Sequence, residues 1–166
     1  MPISRQTRRG LKEPSIFPIV LATVLLLILN ISHLLRAQQA RAERDAGRRA
    51  NNENLVARGK YLVEGVAVCG QCHTPRDGAG NLDRSRWLEG GALWLQPAQP
   101  MADWPLKAPR IAGSPPGSDE ELVMLLTTGI WRDGKPLRPP MPQFRMSRDD
   151  ATAVVAYLRS LSQGAL

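Results

Sequence analysis

Both cysteines of this 166-residue chain, and one of its two histidines, fall in five consecutive positions, Cys69-Gly70-Gln71-Cys72-His73. Thiols and imidazoles are the side chains proteins use to ligate soft and borderline metals and to anchor groups covalently. Cys-x-x-Cys-His is the attachment pattern of c-type haem, in which two thiols add across porphyrin vinyl groups and the next histidine ligates iron. The spacing suits that chemistry. In one helical turn, two intervening residues let both sulfurs reach one edge of a macrocycle and put the imidazole beneath the metal. Three other chemistries compete. A thioredoxin-like Cys-x-x-Cys pair belongs in a βαβ frame, and no such pattern surrounds this one. A structural zinc site needs four ligands, and these residues leave only His33 or carboxylates to complete the set. A plain disulfide, or a chance match, is the remaining reading.

A haem iron with His73 on one side has a second axial position. A thioether there raises the potential and favours electron transfer over oxygen chemistry. The chain has five methionines. Met1 lies on the far side of an apolar span from the motif, Met124 sits among leucines, and Met101 falls in a long irregular segment. The run Gly134-Lys-Pro-Leu-Arg-Pro-Pro-Met141-Pro142-Gln-Phe-Arg-Met146 carries the choice. Pro139, Pro140 and Pro142 bracket Met141, so its backbone is stiff and its side chain can be held over an iron at little further entropic cost. Met146 is the alternative, directly before a helix-capping serine. Trp131 and Arg132 precede this run; an arginine there has the fork that pairs with carboxylates such as haem propionates.

The elements around the motif divide the chain into four parts. Residues 1–14 form a basic tail. Residues 15–35 read as a transmembrane anchor, because no Asp, Glu, Lys or Arg occurs from 14 to 35 and about 20 apolar residues span a bilayer. A cleaved signal peptide is the rival, with Ala40-Arg41-Ala42 as its cleavage site. Thr7-Arg8-Arg9-Gly10-Leu11-Lys12 only partly matches a twin-arginine signal. Lys and Arg flank the span almost equally, so the positive-inside rule does not orient it. His33, near the outer end, is either an interfacial residue or an intramembrane functional group such as a quinol contact or b-haem ligand. Residues 36–51 read as a polar helical stalk whose arginines suit solvent or anionic lipid.

The net charge of +7 resides almost entirely in residues 1–50, which hold nine Lys/Arg against three Asp/Glu. Residues 51–166 hold thirteen against twelve, and no basic patch interleaved with aromatics appears, so nucleic acid is not an expected partner. The domain of residues 52–166 should open with a helix capped within Asn51–Asn54 and carrying Leu55, Leu62, Val63 and Val66 on one face. Gly59 and Gly65 suggest close approach by another helix. Ser118 and Glu121 form a capping box for a second helix ending at Gly129, with Leu122, Leu125 and Leu126 buried. Ser147 caps a last helix. Residues 76–117 are rich in glycine and proline and lack periodicity. Their three tryptophans, Trp87, Trp94 and Trp104, argue against disorder, because the indoles would otherwise be exposed.

Arg58-Gly59-Lys60-Tyr61-Leu62-Val63-Glu64-Gly65, leading into Cys69-Gly-Gln-Cys-His-Thr-Pro75, resembles the opening of a class I bacterial cytochrome c domain. Ala151-Thr-Ala-Val-Val-Ala-Tyr-Leu-Arg-Ser-Leu161 resembles that family's terminal helix. The resemblance covers roughly residues 52–163 and is nearest to the monohaem domains that accompany respiratory or photosynthetic membrane oxidoreductases. It implies an all-α cytochrome c fold: about three main helices and a long haem-wrapping loop, here behind the transmembrane helix. It implies one covalently bound haem c on Cys69 and Cys72, with His73 as proximal ligand and Met141 as distal ligand. It also implies that the Pro109 carbonyl, in Ala108-Pro109-Arg110-Ile111, accepts the His73 N–H, and that Tyr157 meets Gly59 where the terminal helix crosses the first. The expected function is single-electron transfer between redox partners at the periplasmic face of the bacterial inner membrane, with the amino terminus cytoplasmic. The chain is then not an enzyme itself, but can be the cytochrome subunit of an oxidoreductase complex. The alternative is a haem enzyme or gas sensor with an open or labile sixth position.

Overall fold

A computed structural model describes residues 17–161. The basic residues 1–14 and the Thr7-Arg8-Arg9 motif lie outside the described residues, as do Ser15 and Ile16 of the expected anchor and residues 162–166 of the expected domain. Residues up to Gly47 and residues from Arg48 form two separate units.

Helix α1 spans Phe17–Tyr61 without interruption. Its apolar part is long and apolar enough to cross a membrane, and side chains such as Leu21, Leu25, Leu27 and Leu34 are exposed. The expected new helix start within Asn51–Asn54 does not occur. Ala, Arg, Gln and Glu favour helix throughout the stalk, and single Gly or Asn residues cost at most about 1 kcal/mol each, too little to break it. Asparagine caps only where the preceding chain has already left the helix.

In the second unit, α1 passes into a π turn, Leu62–Val66, closed by the Ala67 N–H donating to the Leu62 carbonyl at 2.7 Å. Val68 then takes φ +48, and the short helix α2, Gly70–His73, follows. Helix α3 spans Asp119–Thr128. The Ser118 hydroxyl accepts from the Glu121 N–H, the Glu121 carboxylate accepts from the Ser118 N–H, and Gly129 at φ +71 ends the helix. Helix α4 spans Arg148–Ser160, with the Ser147 hydroxyl accepting from the Asp150 N–H. The irregular segment holds more order than its composition suggests: a 3₁₀ turn at Arg84–Arg86 and two short antiparallel strands, β1 (Gly91–Ala92) and β2 (Lys107–Ala108), with Gly91 opposite Ala108.

The core joins the π turn, α3 and α4 through Leu62, Val63, Leu122, Val123, Leu126, Val154, Tyr157 and Leu158. Leu125 is buried as well, whereas Met124 faces outward at 40% exposure. The crossing of α1 and α4 depends on Gly59. A Cβ there would overlap the Ala153 carbonyl and lie 2.7 Å from Tyr157 Cβ, so only glycine permits this separation. The Tyr157 hydroxyl closes the crossing by donating to Glu64 Oε1 at 2.7 Å. The contact expected between Tyr157 and Gly59 is therefore present. Gly65 meets nothing closer than the Tyr61 ring at 3.7 Å, so close approach is a property of Gly59 alone of the two.

Candidate functional site

A cavity of about 620 Å³ opens within the second unit, walled by Leu122, Leu125 and Leu126 of α3, Val154, Val155 and Leu158 of α4, and prolines of the irregular segments. Apolar walls with a few convergent polar groups are the usual form of a cofactor site. Cys69, Cys72 and His73 line one wall, and Met141 lines the cavity from the segment before α4. Two thiols, one imidazole and one thioether thus line a single apolar space.

Local backbone geometry brings the motif there. The π turn adds a residue to the helical winding before Cys69, whose N–H donates to the Val63 carbonyl at 3.0 Å. Val68 at φ +48 reverses the chain, a conformation rare for a β-branched residue and characteristic of functional loops. Within α2 the His73 N–H donates to the Cys69 carbonyl at 3.0 Å. Beneath α2, a Cβ on Gly70 would overlap the Trp87 ring, so the indole packs directly on the motif's backbone.

His73 is buried, and its Nδ1 donates to the Pro109 carbonyl at 2.8 Å. Burial lowers its pKa below the ordinary value, opposed by the hydrogen bond to Pro109. The neutral imidazole that results is the form that ligates a metal. Burial also pushes the Cys69 thiol up to about 11, against a lowering by a backbone hydrogen bond, so it is protonated at neutral pH.

Two residues that sequence reasoning passed over hold Pro109 in place. Leu88, fully buried at φ +60, donates its N–H to Thr74 Oγ1 at 3.0 Å. Its carbonyl accepts from the N–H groups of Ile111 and Ala112, at 2.9 and 3.1 Å. Thr74 directly follows His73, so one buried turn ties the motif to the segment that bonds its imidazole. Gly90, at φ +82, lets the backbone pass close: a Cβ there would sit 2.8 Å from the Ala108 carbonyl and from the Arg110 nitrogen. A threonine next to the motif was the only signal in the sequence, and a threonine in that place has many uses.

The methionines separate clearly. Met146 is partly buried against the core, its N–H donating to the Leu126 carbonyl at 3.1 Å, and it does not line the cavity. Met101 is 48% exposed and does not line it either. Trp131 lines the cavity, whereas Arg132 does not: its guanidinium stacks over Trp131 at 5.2 Å and lies 3.7 Å from the Glu121 carboxylate. Among the described residues, the cations that do line the cavity are Lys107, Lys135 and Arg138. Two of them lie in the same proline-rich run as Met141, which was the available signal. His33 is exposed on α1.

The residues present fit a haem. The cavity is apolar and walled on several sides, the paired thiols stand beside the imidazole, and the imidazole is held in the tautomer that leaves Nε2 free.

Comparisons with known proteins agree with the geometry. The family model described as Cytochrome c matches residues 56–162, well over half of the chain. A protein named diheme cytochrome c-type, from Cereibacter sphaeroides, is 68% identical over 34 residues, covering 20% of this chain and 12% of its own length. The fructose dehydrogenase cytochrome subunit of Gluconobacter japonicus is 32% identical over 114 residues, covering 63% and 21%. The gluconate 2-dehydrogenase cytochrome c subunit of Pantoea cypripedii is 30% identical over 127 residues, covering 68% and 27%. The chain therefore spans from about an eighth to about a quarter of the length of these relatives. A cytochrome c domain implies covalently bound haem c and an electron-transfer role. With the matched segment running from the end of α1 to the end of α4 around this cavity, the chain belongs to the cytochrome c family, as a class I bacterial cytochrome c.

Proposed function

We propose that this chain is a membrane-anchored cytochrome c that carries single electrons at the periplasmic face of the inner membrane, as the cytochrome subunit of a dehydrogenase complex. The observation that carries the reading is the shared cavity of Cys69, Cys72, His73 and Met141. Cys69 and Cys72 hold one haem c through thioethers, the only two cysteines the chain offers. His73 through Nε2 and Met141 through Sδ would ligate its iron, and the bound haem would supply one-electron chemistry there. The Pro109 carbonyl fixes the His73 ring and raises its basicity. Trp131 and the cations Lys107, Lys135 and Arg138, which line the cavity, would hold the propionates, with Arg132 supporting Trp131 from outside.

The apolar part of α1 is the anchor, and the basic residues 1–14 stay on the cytoplasmic side. Covalent haem attachment outside the cytoplasm, as the family resemblance implies, supports this orientation. The domain order is the tail 1–14, the anchor 15–35, a helical stalk 36–51 and the haem domain 52–166. The names of the relatives, cytochrome subunits of fructose and gluconate dehydrogenases, support a dehydrogenase as electron donor. The test is the exported, membrane-extracted protein. Its mass should exceed that of the polypeptide by one haem, and the oxidised form should show the long-wavelength charge-transfer band of Fe–S(Met) ligation. Absence of added mass sinks the reading. Rapid carbon monoxide binding by the reduced wild type would replace it with an open-site haem protein.

A further inference from the structure

Trp94 stands out among the tryptophans of the irregular segment. It lies two residues beyond β1 and is 55% exposed, where the sequence suggested burial. It is nonetheless held in place. Its indole N–H donates to the Gln71 carbonyl at 3.3 Å, and the Arg76 guanidinium lies over its ring at 5.3 Å. Arg76 also donates to Gln71, to the backbone carbonyl at 3.3 Å and to Oε1 at 3.0 Å. Gln71 sits between the two cysteines of the motif. An indole fixed in orientation yet open to solvent has little entropy left to lose on contact, which is the property of an interface anchor.

Its surroundings have a definite chemistry. Leu106, 75% exposed, accepts through its carbonyl from the Leu93 N–H at 3.0 Å, so the backbone leading into Trp94 is held to the neighbouring segment. The concave surface beside Trp94 is bounded by Arg76, Arg86, Lys107 and Glu89. Glu89 is shared at 3.5 Å between Arg86 and Arg110, so positive charge is in excess.

We infer that the Trp94 surface, ringed by Arg76, Arg86 and Lys107, is where a redox partner protein docks, and that the partner presents acidic groups around an apolar spot. The inference rests on the function proposed above and specifies its partner. The route has few parts: a donor seated on Trp94 is one hydrogen bond from Gln71, whose next residue is Cys72. One electron passes, lost by the partner protein and gained by the haem domain, and no atoms move.

The test uses full-length, haem-loaded protein in detergent, reduced and then oxidised in a stopped-flow instrument. Hexacyanoferrate(III) serves as an anionic oxidant and tris(phenanthroline)cobalt(III) as a cationic one. The paired variant Arg86→Glu/Lys107→Glu should slow hexacyanoferrate about tenfold at low ionic strength and speed the cobalt complex, and both differences should collapse at high salt. Lys60→Glu/Arg148→Glu, at exposed positions that line neither the cavity nor the concave surface beside Trp94, should change either rate less than about twofold. Trp94→Ala should slow hexacyanoferrate about threefold or more with spectrum and midpoint potential unchanged, and Trp94→Phe should recover most of the loss. An equal or larger effect from the Lys60/Arg148 pair, or a Trp94→Ala protein as fast as wild type, overturns the inference. A normal haem spectrum with unaltered rates overturns the docking surface alone, whereas a protein without haem overturns the function beneath it as well.

Discussion

The Nδ1–H of His73 donates to the carbonyl of Pro109 across 2.8 Å, joining residues 36 positions apart. A carbonyl oxygen can only accept, so the proton must be on Nδ1 and the lone pair on Nε2, the atom a metal needs. This selection depends on the buried turn at Leu88, which spans the gap between Thr74 and Ile111.

Thr74→Val tests that turn. The substitution keeps shape but leaves the buried Leu88 N–H without an acceptor, which should cost about 1–3 kcal/mol in denaturant unfolding. Thr74→Ser retains the oxygen and should cost under about 1.5 kcal/mol. Equal stability of wild type and Thr74→Val would show that the hydroxyl does not hold Leu88.

Met141 and Met146 make opposite predictions. Met141→Ala should abolish the Fe–S(Met) charge-transfer band and open the reduced protein to carbon monoxide, because Met141 lines the cavity. Met146→Ala should keep the band and instead lower stability by about 1–3 kcal/mol, because Met146 packs on the core. Absorbance spectra and melts of the two variants decide between these outcomes.

Gly59→Ala and Gly65→Ala should differ sharply. At Gly59 the new methyl overlaps backbone of α4, so the helices must separate, at a cost of about 3 kcal/mol or loss of folded protein. At Gly65 the nearest atoms are an ordinary contact at 3.7 Å, and the change should lie within about 1 kcal/mol of neutral. Similar unfolding midpoints for the two variants would contradict the crossing described for α1 and α4.

Tyr157 supplies a pH signature. Burial first, and the hydrogen bond to Glu64 second, raise its phenol from 10.0 to about 12. The unfolded phenol ionises first as pH rises, so the stabilisation is complete below about pH 10 and is lost towards pH 12. The loss should be on the order of 1–2 kcal/mol, since Glu64 itself faces water. Tyr157→Phe should cost about 1 kcal/mol at neutral pH and remove this part of the alkaline decline. The difference between wild-type and variant unfolding energies across pH 9–12 measures it, and a constant difference would exclude the coupling.

Much of the frame was legible in the residues. The caps at Ser118, Gly129 and Ser147 are local chemistry between positions three or four apart, and each appears where its residues require. The same local reasoning failed at Asn51–Asn54. Capping potential counts only at a helix end, and nothing in the neighbouring alanines and arginines ends α1 there. It also failed for Trp94, which an argument from hydrophobicity places inside. Hydrophobicity sets the total area a fold must cover, not which indole remains outside.

The sequence by itself determined the chemistry: five adjacent residues that can bind haem, a stiff methionine, and an apolar stretch long enough for a bilayer. These are properties of residue type and short spacing, which do not depend on how the chain folds back. The tertiary structure decided which groups share a space: Met141 and not Met146 on the cavity, Lys135 and Arg138 and not Arg132 on its lining, and Gly59 and not Gly65 at the crossing. Those choices come from long-range packing, in which residues dozens of positions apart exclude water from one another. Residues of equal type in one short segment then end in different surroundings.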